Sequence, residues 1–250
     1  MKNKLLVRCE ELINAYKQGL LGNCTMPEDS NPGFSEKEKE WRLAYFSLPM
    51  SLNYQRDSYK LWEAALKTYK DKQTKEIFSV ERVCKLSVEE LRKKLTKYKV
   101  ALQPNKHIAT WKTISETVFN NWGGFGNLFE SAENDLIIIK EWLCTKYKKG
   151  FLYLSGPKIF NYWSFIISTY GQVPLKNKQL IEIAPDTHVT KCSVVLGLIT
   201  SLEAEKLSKE EISKRWREAL RGSEIDPIEM HPPLWFWSRN GFKYKLETSN

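Results

Sequence analysis

Apolar residues recur at a helical spacing along nearly the whole chain, and that period limits the folds open to it. Leu5, Leu6, Cys9, Leu12, Ile13 and Tyr16 follow the i, i+3, i+4, i+7 rule, which predicts an opening amphipathic helix. Leu61, Trp62, Ala65, Leu66 and Tyr69 form a second stripe, and Ile108, Trp111, Ile114 and Val118 a third, with Pro104 suited to its first turn. Ile212, Trp216 and Leu220 line a late helix. Ser35 with Glu38, Ser87 with Glu90, and Ser208 with Glu211 have the spacing of a capping box, in which each side chain bonds the other's backbone N–H. Strand signals are weak: the apolar runs Leu136 to Ile139 and Phe151 to Leu154 lack turn-bounded alternation. The stretch from Gly22 to Phe34, rich in Pro, Gly, Asn and Asp, predicts a loop. The expectation is an all-α protein of roughly ten helices with short connections.

Composition narrows the function classes. A chain of 250 residues, 42% hydrophobic and 28% charged, can bury a core and is not of disordered type. No apolar run approaches the roughly 18 residues of a membrane span, and Arg8, Glu10 and Glu11 interrupt the first amphipathic segment, unlike a signal peptide. The expectation is a cytoplasmic monomer without a membrane partner. The five cysteines, Cys9, Cys24, Cys84, Cys144 and Cys192, are scattered without metal-ligand spacing, and His107, His188 and His231 stand apart. Reduced thiols and no metal site are therefore expected. A net charge of +9 favours a polyanionic partner. The excess collects in three runs, Arg92 to Lys99, Lys146 to Lys149, and Lys176 to Lys178. Each alone reads as a solvated face; together they lean toward phosphate contact.

Two segments carry chemistry. In Leu152-Tyr153-Leu154-Ser155-Gly156-Pro157-Lys158-Ile159-Phe160-Asn161-Tyr162-Trp163, Ser155 suits an N-cap and Pro157 a first helical turn. Lys158 then sits where the helix dipole disfavours a cation by about 0.3–1 kcal/mol. Stability alone would place an acid there; the neutral form of such a lysine is a nucleophile. A surface lysine covering apolar neighbours is the plainer reading of that segment by itself. In Glu182-Ile183-Ala184-Pro185-Asp186-Thr187-His188-Val189-Thr190-Lys191-Cys192, Asp186 precedes a helix bearing Val189, Cys192 and Leu196, and an ordinary capping aspartate is the local reading.

Taken together, a lysine on a helix–turn–helix, followed 28 residues later by Pro185-Asp186-Thr187-His188-Val189, resembles the helix–hairpin–helix DNA glycosylase superfamily. The chain is most similar to its archaeal 8-oxoguanine DNA glycosylases through Lys158-Ile159-Phe160-Asn161-Tyr162. The likeness extends to Arg42-Leu43-Ala44, Trp62 and Leu234-Trp235, covering most of the chain from about residue 40, but only the lysine and aspartate segments are specific. The resemblance implies two helical lobes, residues 55–170 with the hairpin and residues 1–54 joined to 171–250, with double-stranded DNA in the cleft between them. It implies that Lys158 attacks the sugar to form a Schiff base, that Asp186 stabilises the developing cation, that neither step needs a cofactor, and that the lesion is 8-oxoguanine. It places Trp62, Trp235, Pro185 and His231 at the base, with Gln55 a further polar candidate. Ser155, Gly156, His188 and Lys191 would meet the DNA backbone. Two positions depart from the family pattern. No second glycine follows Gly156, and His231 replaces an acid about one turn before Trp235. A glycosylase for another modified base, and a helical nucleic-acid-binding protein without catalysis, are the alternatives.

Overall fold

Each of those apolar stripes lies on a helix. The structure is a computed structural model that describes residues 4–247, and its described helices are α1 (Lys4–Lys17), α2 (Lys39–Ser47), α3 (Ser58–Lys70), α4 (Val80–Lys85), α5 (Val88–Lys97), α6 (Lys106–Trp122), α7 (Phe125–Ser131), α8 (Leu136–Glu141), α9 (Pro157–Thr169), α10 (Thr187–Val195), α11 (Ser201–Lys206), α12 (Lys209–Ala219) and α13 (His231–Arg239), joined by loops and short 3-10 or π turns. An isolated bridge between Asp135 and Lys176 is the extent of β pairing among the described residues, so the fold is all-α. No helix among them is long and apolar enough to cross a membrane.

The capping boxes hold helix starts as their spacing predicts. Glu90 Oε2 accepts from Ser87 N while Ser87 Oγ accepts from Glu90 N at 3.2 Å, which opens α5, and Ser208 with Glu211 does the same for α12. At α2 the box opens a short 3-10 turn first, with Glu38 Oε2 accepting from Ser35 N at 3.1 Å. Two weak apolar runs prove not to be strands, as expected, and the placement of Pro104 is corrected. The run Leu136 to Ile139 is the start of α8, because Asp135 caps it by accepting from Ile137 N at 2.8 Å. Phe151 to Leu154 is a turn. Pro104 lies before Asn105, the residue that precedes α6, and so stays outside the helix.

The chain divides into two compact units, Met26–Lys178 and Met1–Thr25 with Gln179–Asn250. Within the first, α6 packs against α4, α5 and α7, and α2 lies against α7 and α9. Its large aromatics bury their rings and spend their polar atoms: Trp111 Nε1 donates to Ile77 O at 2.9 Å, and Trp163 Nε1 to Ser47 Oγ at 3.0 Å. Arg42 is also buried there, its Nε donating to Gly171 O at 3.0 Å beyond the end of α9. Gly123 ends α6 at φ +78°, a left-handed conformation that a Cβ disfavours. The Glu40 carboxylate then accepts from Phe125 N and Gly126 N, both at 2.7 Å, to cap α7 from α2. In the other unit α13 packs against α1 and α10, and Trp216 Nε1 donates to Ser193 Oγ at 2.9 Å.

Candidate functional site

Pro157 opens α9, and its fixed φ suits the first helical turn. The residue preceding it is Gly156 rather than Ser155, with no side-chain cap, which corrects the expected N-cap. Ser155 N donates to Phe151 O at 3.0 Å and Gly156 N to Tyr153 O at 3.1 Å, so both amides are spent inside the turn. The first-turn amides of Lys158 and Ile159 have no intrahelical acceptor. Lys158 is exposed, no acid shares its turn, and it forms no ion pair among the described residues.

The buried face of α9 comprises Phe160, Trp163, Ser164, Ile166 and Ile167, leaving Tyr162 half-buried one turn beyond Lys158. The Tyr162 hydroxyl donates to Glu28 Oε1 at 3.1 Å, and Trp62 Nε1 donates to the same oxygen at 2.9 Å. Glu28 has no exposed surface, and its Oε2 has no hydrogen-bond partner. Burial pushes its carboxyl up to about 7; its own backbone N–H, Tyr162 and Trp62 counteract part of that, and the Asp29 charge adds to it. This acid escaped the sequence reading because it lies in a polar loop, where a glutamate gives no sign of being buried. Trp62 itself has no exposed surface and packs against Tyr45 and Phe46, with ring centroids 5.5 and 5.6 Å away. It is a core side chain here, and stacking on a base would require the indole to be uncovered. Gln55 is exposed in the turn before α3, at φ +52°. Tyr153, also at positive φ (62°), stacks on Tyr54 with centroids 4.4 Å apart, a pairing no sequence spacing announces.

In the other unit Asp186 caps α10 as predicted, Oδ1 accepting from Val189 N at 2.9 Å. Its other oxygen carries no hydrogen bond among the described residues. Pro185 is buried before it, and Lys191 is exposed on the helix. His188 turns toward α13. Its Nδ1 lies 3.0 Å from Ser238 Oγ, and its ring meets the half-buried Trp235 edge-on at 5.7 Å. The Arg239 guanidinium sits 4.8 Å from the Trp235 ring centroid, covering a face of the indole. His231, the first residue of α13, is buried one turn before Trp235. The aspartate, both histidines and Trp235 thus share one helix pair, α10 and α13. Burial and the Asp186 charge push the neighbouring Cys192 thiol up to about 12, and burial does the same to Cys9, with a smaller contribution from Glu10. Neither is an activated nucleophile. Among the described residues no group of three or more His, Cys, Asp or Glu side chains could hold a metal ion.

No family model matches this chain, and no curated protein does.

Proposed function

We propose that this protein is a base-excision DNA glycosylase for 8-oxoguanine with an associated strand-nicking activity at the resulting abasic site. The helix–hairpin–helix, two-lobed architecture belongs to the same proposal. The observation that carries it is Lys158: an exposed lysine, without a carboxylate partner, in the first turn of a helix whose dipole opposes its charge. Asp186 supplies the second part, a half-buried carboxylate with one oxygen tied to the helix and one uncommitted.

The chemistry assigned to them balances without a cofactor. The bond from the sugar C1′ to the base nitrogen breaks, and its electron pair leaves with the base. Positive charge grows on the sugar, and the Asp186 carboxylate stabilises it electrostatically. The uncharged Lys158 amine forms a bond to C1′, and ring opening gives a protonated imine. The imine acidifies the C2′ proton; its loss expels the 3′ phosphate and cuts the strand. The Lys158→Gln variant is expected to lose strand cleavage at 8-oxoguanine. Nicking at the wild-type rate by that variant would remove the assignment. Excision across a panel of oxidised, alkylated and deaminated bases identifies the lesion, and preference for a base other than 8-oxoguanine would move the substrate while keeping the mechanism.

A second reading has its own support. Asp186 does what a purely structural capping aspartate does, so a helical nucleic-acid binder without catalysis is consistent with that contact. Such a protein would bind duplex in a salt-sensitive way and release no base.

A further inference from the structure

Three basic runs stand out in the sequence, and folding treats them differently. Lys94 pairs with Glu76 at 2.8 Å, Lys97 with Asp71 at 2.6 Å, and Arg92 with Glu89 at 3.3 Å, so much of the first run is neutralised. In the third, Lys176 pairs with Glu133 at 3.3 Å. Lys146, Lys148 and Lys149 are all exposed, and none forms an ion pair among the described residues. They surround an open cavity of about 670 Å³ whose opposite wall is Thr117 and Asn121 of α6, and no acid lines it.

The cavity is firmly framed. After α8 the chain continues through a π-turn, Trp142–Lys146, and a 3-10 turn, Lys148–Gly150. Trp122 stacks on Trp142 with centroids 5.4 Å apart and meets Tyr147 edge-on at 5.1 Å, which fixes the backbone bearing the lysines. Gly150 passes so close to α6 that a Cβ there would overlap the Thr117 side chain. Polar groups remain for a ligand. The Asn121 amide uses one N–H on Thr117 O at 2.8 Å, leaving another N–H and its carbonyl, and Thr145 contributes a hydroxyl. The volume is in the range of small-ligand sites, about 300–1,000 Å³, and exceeds what one inorganic phosphate fills.

We infer that this cavity holds the sugar–phosphate backbone of a nucleic-acid strand, with Lys146, Lys148 and Lys149 neutralising up to three successive phosphates. The inference rests on the proposed DNA substrate and adds a contact outside the lysine–aspartate chemistry, nine or more residues before Lys158 in the chain. Uncompensated lysines around a polar, acid-free cavity suit a chain of repeated negative charges, because binding releases condensed counterions from it.

The test is the salt dependence of binding to an undamaged duplex. Each phosphate contact contributes roughly 0.9 to the slope of log K against log salt. Replacing Lys146, Lys148 and Lys149 together by Gln is expected to make that slope shallower by about 2–3. The wild type would then lose about 40-fold more affinity than the variant between 50 and 200 mM salt. Arg at the same three positions is expected to keep the slope, and Gln at the ion-paired Lys39, Lys85 and Lys176, which removes the same charge, to leave it nearly unchanged. Single Lys148→Gln and Lys149→Gln substitutions, each expected to lower the slope by about 0.9, serve if the triple variant does not fold. Borohydride trapping on an abasic duplex at saturating protein reports the proposed chemistry separately. Wild-type trapping with equal slopes in wild type and triple Gln variant would overturn this inference alone. Absence of any duplex binding by the wild type would overturn it together with the proposed function.

Discussion

Glu28 lets the buried acid be read directly from pH-dependent stability. Its carboxyl is raised from 4.5 to about 7, so the folded state holds the proton more tightly than the unfolded chain does. The stabilisation is fully present below pH 4.5 and is lost as pH rises through 7. A shift of that size, at about 1.36 kcal/mol for each pKa unit, corresponds to about 3 kcal/mol. In the neutral acid Oε1 accepts from Trp62 and Tyr162, which places the proton on the partnerless Oε2. Glu28→Gln reproduces that arrangement with an amide that cannot ionise. Urea denaturation of both proteins at pH 5, 6, 7 and 8 is the assay. Subtracting the variant curve removes the titrations the two proteins share, and between pH 5 and 8 the remainder should shift in the variant's favour by about 2.5 kcal/mol, most of it by pH 7. Any constant cost of burying the amide N–H groups cancels in that pH dependence. Parallel curves across the series would refute the reasoning.

Further outcomes follow from the same geometry. Asp186→Asn should preserve α10, since Asn caps as well as Asp, while base excision falls about 10²–10³-fold; wild-type excision would make Asp186 a cap only. Glu40→Ala leaves the Phe125 and Gly126 amides without their acceptor and should cost about 2–4 kcal/mol in chemical denaturation, with a change below 0.5 kcal/mol counting against the cap. Burial, aided by the Arg56 and Lys106 charges, lowers the His107 imidazole from 6.5 to about 4, and its Nδ1 accepts from Leu102 N at 3.1 Å. The neutral ring therefore stabilises the fold above pH 6.5, and that contribution is lost as pH falls toward 4. An NMR titration showing His107 protonated by pH 6 would contradict it.

Much of the fold was legible because helix signals are local. Periodicity identified the buried Trp111 and Trp216, and capping spacing located the starts of α5 and α12. Short apolar runs were ambiguous: Leu136 to Ile139 became helical because of Asp135, one residue outside the run. Site residues divided along the same line. Asp186 was readable as a cap from its neighbours. The burial of Trp62 depends on Glu28, 34 residues earlier, and the cover over Trp235 depends on how Arg239 lies on α13. The neutralisation of Lys94 and Lys97 likewise comes from acids on other elements, which a charge run cannot reveal.

The central claim is that Lys158 forms a covalent intermediate with damaged DNA. Its most direct test is borohydride reduction of the protein incubated with a duplex containing one 8-oxoguanine opposite cytosine, beside Lys158→Gln. The account predicts a trapped protein–DNA adduct that the variant lacks. An adduct of undiminished yield in Lys158→Gln, or no adduct with either 8-oxoguanine or a plain abasic site in the wild type, would contradict it.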